Sequence, residues 1–94
     1  MRKVYITRKK KFNGCALIYQ IKCDDNVVAT IRNGKTVVLE VDNNAHTIQC
    51  FAESPGNEGG YFTYYSDLIN ILPGTSDIKL VVKPRLVSLE LFIE

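Results

Sequence analysis

The sequence predicts an all-β domain, an antiparallel sandwich of about eight strands, and three observations carry that reading. Apolar and polar residues alternate with a period of two from end to end. Turn-forming clusters recur about every 8–12 residues. No window shows apolar spacing of three and four over ten residues, while β-branched and aromatic residues fill the runs, so no helix is expected.

The strands follow in order. Val4 and Ile6 oppose Tyr5 and Thr7 in the first, and Arg8-Lys9-Lys10-Lys11 then reads as a solvated hairpin turn. Leu17, Tyr19 and Ile21 share one face of the second strand, with Gln20 and Lys22 on the other. Asp24-Asp25-Asn26 is a turn, because short Asx side chains bond their own backbone and tolerate left-handed conformations. Val27–Ile31 and Thr36–Val41 flank Asn33-Gly34, a pair that suits a type I′ hairpin turn with positive φ at both central residues. After the turn Asp42-Asn43-Asn44-Ala45, the residues His46, Ile48, Cys50 and Ala52 line one face of a further strand, completing a meander. Residues 54–60, rich in Gly and Pro, read as the longest exposed loop. Strands are then expected around Tyr61–Tyr65, at Ile69–Ile71 up to the Pro73-Gly74 stop, at Ile78, Leu80 and Val82, and, past a break at Pro84, at Val87, Leu89, Leu91 and Ile93.

A chain of 94 residues accommodates one domain, here 1–94, and no second core. Its hydrophobic fraction of 46% and charged fraction of 23% are those of an ordinary globular protein. The basic residues among the first twelve interrupt any signal-peptide apolar region, and no run reaches the roughly 20 apolar residues of a membrane span, so a cytoplasmic location is expected. Cys15, Cys23 and Cys50 are odd in number and lack Cys-x-x-Cys spacing; they read as reduced thiols. The net charge of +2 conceals an asymmetry: residues 1–12 carry six bases and no acid, whereas the other 82 carry six bases against ten acids.

The run "VVATIRNGKTVVLEV" followed by a tight turn and "AHTIQCF" resembles the PEGA-type and related prealbumin-like (transthyretin-like) β-sandwich domains, in which strand, Asn-Gly-like turn, strand, tight turn and His-x-Ile recur in that order. The likeness spans roughly residues 4–82; Asn26 stands where the pattern has the glycine of an Asp-Gly turn, and Asn43-Asn44-Ala45 where it has Pro-Gly-Lys. The resemblance implies a prealbumin- or immunoglobulin-like sandwich in an accessory, surface-presenting or protein-binding role, with no catalytic residues to carry over.

Candidate chemistry is sparse. Gly34-Lys35-Thr36 looks like the end of a phosphate-binding loop, but Ala29 occupies the position of the required first glycine and a strand follows in place of a helix. His46, Cys15, Cys23 and Cys50 offer soft ligands, yet His46 and Cys50 on one strand face stand roughly 13 Å apart, too far to share one ion. Buried thiols and a hydrogen-bonded His are therefore expected, with no metal, no cofactor and no activated cysteine. The adjacent acids Asp24-Asp25 read as a solvated turn, with a loosely held cation the alternative.

Surfaces are more informative. Arg8, Lys9, Lys10 and Lys11 form a run of four cations that could neutralise phosphates, but a net charge of +2 is low for a dedicated nucleic-acid domain. Tyr61, Phe62, Tyr64 and Tyr65 beside a Gly-rich loop supply a recognition surface for a protein partner, although alternation turns half of them inward. The last strand is apolar on both faces, so either other strands cover it or it pairs across a symmetric dimer by edge addition. The expected function is a non-enzymatic structural or protein-binding module; the alternative is weak nucleic-acid binding through the basic N-terminal turn.

Overall fold

The computed structural model describes residues 1–10, 17–55, 61–84 and 88–94, and at 54, 55, 61 and 62 the backbone only. Among the described residues there are nine strands: β1 (Arg2–Arg8), β2 (Tyr19–Cys23), β3 (Asn26–Ile31), β4 (Thr36–Val41), β5 (His46–Pro55), β6 (Tyr61–Tyr65), β7 (Ile69–Ile71), β8 (Ile78–Pro84) and β9 (Leu89–Ile93). No helix among them is long and apolar enough to cross a membrane. The strands form two sheets, one in the order β4-β1-β8-β9, the other in the order β3-β2-β5-β6 with β7 beside β5.

The alternation read from the sequence fills the space between the sheets. Val4, Ile6, Leu80 and Val82 from the first sheet meet Ile21, Ile48, Cys50 and Ile31 from the second, all of them at most 1% exposed. Removing an Ile side chain of this kind from water contributes about 2–3 kcal/mol, which makes these pairs the main favourable term in the fold.

Four features differ from the sequence expectation. Asn33-Gly34 does not close a hairpin: β3 pairs with β2 and β4 with β1, so the turn carries the chain from one sheet to the other. Its Lys35 N–H donates to Arg32 O at 3.1 Å and Gly34 has φ +73°, while Asn33 keeps a negative φ, the signature of a type II turn. The type I′ turn sits instead between β2 and β3, where Asp24 (φ 52°) and Asp25 (φ 68°) are both left-handed. Because β4 crosses over, β3, β4 and β5 are no meander. Finally, the first sheet is mixed, since β1 runs parallel to β8 with Ile6 opposite Leu80.

One long strand organises the second sheet. The start of β5 pairs with β7 and its end with β6, and the buried Ser66 closes the gap between those two short strands. Its N–H donates to Cys50 O at 2.8 Å, and its hydroxyl accepts from Cys50 N–H at 2.9 Å while donating to Asp67 O. Backbone groups left over where β6 ends and β7 begins thus find partners without a tenth strand. The expected loop at 54–60 begins later, since β5 runs to Pro55, and residues 56–60 lie outside those described.

Candidate functional site

The strand directions gather one end of the sandwich from the β2–β3 turn, the β4–β5 connection and the start of β5. Cys23 closes β2 and pairs with Ile48, so alternation puts Cys23 and His46 on the same inner face, two residues apart across the pair. There His46 lies between two carboxylates: Nδ1 is 2.6 Å from Asp24 Oδ2 and Nε2 is 2.7 Å from Asp42 Oδ1. The His46 side chain is only 12% exposed, the two acids 50% and 59%.

Each acid is fixed in turn. Asp24 Oδ1 accepts the Thr47 N–H at 2.9 Å, and the Asp24 N–H donates to Thr47 O at the same distance. Asp42 Oδ1 also accepts the Asn44 N–H at 3.0 Å, an Asx turn that the 42–45 cluster signals in sequence. Cys23 Sγ, 3.8 Å from Asp24 Oδ2, completes the group.

The electrostatics follow from these contacts. The hydrogen bond to Asp24, opposed by desolvation and supported by Asp42, raises the His46 pKa and favours the imidazolium that donates from both ring nitrogens. The bond from His46 and then the Thr47 N–H lower the Asp24 pKa; the Asn44 N–H and then His46 lower that of Asp42. Burial, reinforced by the Asp24 charge, pushes the Cys23 thiol up to about 11, and deeper burial takes Cys50 to about 12. Neither sulfur is poised as a thiolate nucleophile, which needs a depressed pKa. The sequence reading paired His46 with Cys50 along one strand; the relevant partner is Cys23 on the neighbouring strand, found only once β2 is known to run antiparallel to β5.

The residues expected to form surfaces separate. Arg8 is no solvated turn residue: it is 2% exposed, its guanidinium lies 3.6 Å over the Tyr19 ring, and Nη1 donates to Leu17 O at 2.6 Å and Ile31 O at 3.1 Å. Arg8 follows Val4 and Ile6 on the inner face of β1, and its carbonyl partners and aromatic platform replace the water it loses. It is therefore withdrawn from any partner or phosphate contact. Lys9 and Lys10 are exposed at that end of the sandwich, where Lys9 N–H donates to Val82 O, and Lys11 lies outside the described residues. Arg32 and Lys35, also exposed, join them through the type II turn, with the Lys10 side chain passing Gly34.

Of the aromatic run, Tyr64 packs against the core and Tyr65 faces out, 51% exposed and stacked on Phe51 with 5.9 Å between ring centroids. The backbones of Tyr61 and Phe62 belong to β6; their side chains lie outside the described set. Leu68, 57% exposed, lies in the connection between β6 and β7. At the chain end, Leu89 and Leu91 of β9 face inward and Ile93 is exposed, on a strand that ends its sheet; Leu86 and Val87 are not among the described residues.

The chain matches no protein-family model, and no curated protein or solved structure matches it.

Proposed function

We infer that this protein is a non-enzymatic, cytoplasmic binding module of the prealbumin-like kind that engages another protein through the β6 edge. One observation carries the reading: Tyr65 stands half-exposed on the last strand of its sheet, held in place by its stack on the buried Phe51, with Leu68 exposed in the connection that follows. A pre-oriented aromatic ring on an edge whose outer backbone groups face no further strand among those described supplies both the anchor and the hydrogen-bonding register that an added strand uses. The thiols of Cys23 and Cys50, both unpaired and both kept protonated, suit a reducing compartment and no nucleophilic role. Affinity capture from the native cell with wild type and Tyr65→Ser tests this: a partner retained by wild type and lost by the variant supports it, and equal retention contradicts it. Capture of a second copy of the chain, with light scattering reporting a dimer that Tyr65→Ser leaves intact, transfers the interface to β9.

A second reading is favoured by the convergence of Lys9, Lys10, Arg32 and Lys35 at the opposite end from Asp24 and Asp42. Four exposed cations at one pole form a binding patch for nucleic-acid phosphates. Its mark is affinity for oligonucleotides that falls steeply with salt and drops further on Lys9→Glu plus Lys35→Glu; binding indifferent to salt removes it.

A further inference from the structure

The geometry points to a divalent transition-metal site, of the zinc class, at the acidic end of the sandwich, with Cys23 Sγ, Asp24 Oδ2 and His46 Nδ1 as ligands and Asp42 as the residue that orients the imidazole.

The three donor atoms lie within 4.8 Å of one another. A tetrahedral zinc ion with a sulfur ligand at about 2.3 Å and nitrogen and oxygen ligands at about 2.0 Å sets its donors roughly 3.3–3.6 Å apart. Asp24 Oδ2 to His46 Nδ1 opens from 2.6 Å to meet that spacing and Cys23 Sγ to Asp24 Oδ2 closes slightly from 3.8 Å. Both are changes of under about 1 Å, within reach of a half-exposed aspartate rotamer. Cys23 Sγ and His46 Nδ1, at most 4.8 Å apart, close by up to about 1.3 Å through side-chain rotation of Cys23 and His46. Thiolate, imidazole and carboxylate together form a borderline-soft set that favours zinc or cobalt over magnesium or calcium. Three protein ligands leave the fourth position to water on the open side.

The surroundings are those of a supported ligand set. Asp42 Oδ1, 2.7 Å from Nε2, makes the carboxylate–imidazole contact that leaves Nδ1 free to bind. Asp24 is anchored to Thr47 through both its backbone N–H and Oδ1, so Oδ2 stays available to the site. Two of the ligands stand on the paired strands β2 and β5, and the third begins the turn that joins β2 to β3. The exchange balances: the ion displaces one proton from His46 Nδ1 and one from Cys23 Sγ, both released to solvent. Two charges leave and two arrive, so the carboxylates see the same total charge before and after.

Cobalt(II) added to chelator-treated protein at pH 8 reads the site directly, because a thiolate–cobalt bond gives a near-ultraviolet charge-transfer band and a tetrahedral ion gives visible bands. Wild type is expected to show both. Cys23→Ser, checked for a cooperative melt, is expected to lose the near-ultraviolet band, and Asp42→Asn to keep it with about tenfold to hundredfold weaker binding. As a readout needing no variant, zinc ions are expected to slow alkylation of Cys23 in the wild-type protein at least tenfold. No charge-transfer band in wild type, a band that survives Cys23→Ser, or alkylation unaffected by zinc each overturns the proposal.

Discussion

Arg8 shows how a single side chain changes meaning between sequence and fold. As a member of Arg8-Lys9-Lys10-Lys11 it reads as solvated charge, yet the period-two pattern Val4, Ile6, Arg8 already assigns it to the inner face of β1. The alternation was the better guide. Arg8→Ala strands the carbonyls of Leu17 and Ile31 and uncovers Tyr19, so urea unfolding is expected to show a loss of about 3 kcal/mol; a loss under about 1 kcal/mol contradicts the packing described. Arg8→Lys is also destabilising, since an ammonium cannot stack flat while reaching two acceptors. His46 gives a pH signature. Its pKa is raised in the fold, so its contribution is fully present below the unfolded value near 6.5 and is lost as pH rises through the folded value. Asp24 and Asp42 are lowered, so theirs is present above the unfolded value near 3.8 and is lost as pH falls through the folded values. With chelator present, the stability of this triad is thus greatest between those two unfolded values. Unfolding midpoints across pH are expected to decline above that window in wild type and to flatten in His46→Gln; identical profiles contradict the triad.

The strands themselves were legible, since alternation places Ile21, Ile48, Cys50, Leu80 and Leu91 on buried faces as observed. The turns were legible as turns; Asp24-Asp25 joins β2 to β3 as expected, whereas Asn33-Gly34 connects strands that do not pair with each other. Asn33-Gly34 satisfies the composition of a type I′ hairpin, but Gly34 alone has positive φ and the turn changes sheets. A dipeptide reports the backbone angles it tolerates, not which strands its neighbours will pair with. At Asp24-Asp25 the reverse holds, for two aspartates accept left-handed angles that Gly would take with less strain. Asp25→Gly is expected to stabilise the fold by about 0.5 kcal/mol, because Asp25 takes no part in the His46 contacts and Gly relieves its φ of 68°. Gly34→Ala is expected to cost about 1 kcal/mol or more, since its Cβ would stand 3.3 Å from Lys10 Cβ at φ +73°. Thermal melts of the two variants moving in the same direction contradict this assignment of the turns.

At the scale of the molecule, the parallel pairing of β1 with β8 joins segments some seventy residues apart in sequence, and nothing local announces it. That pairing, with the crossing at Asn33-Gly34, places Lys9, Lys10, Arg32 and Lys35 at one end of the sandwich and Asp24, Asp25, Asp42 and Asp77 at the other, where Arg2 and Lys3 also open β1. The sequence shows the asymmetry only as a basic start and an acidic remainder; the fold divides that basic start, with Arg2 and Lys3 beside the acids and Lys9 and Lys10 joined by Arg32 and Lys35 at the far end. The aromatic edge lies along the side, so the proposed protein-binding and phosphate-binding readings fall on separate surfaces and can be told apart by position. Amide hydrogen exchange on the captured complex is the most direct measurement of the central claim. Protection on binding is expected along β6 and β7, residues 63–71, with amides at 9–10 and 32–35 unchanged; protection confined to the basic pole, or spread to neither, contradicts it.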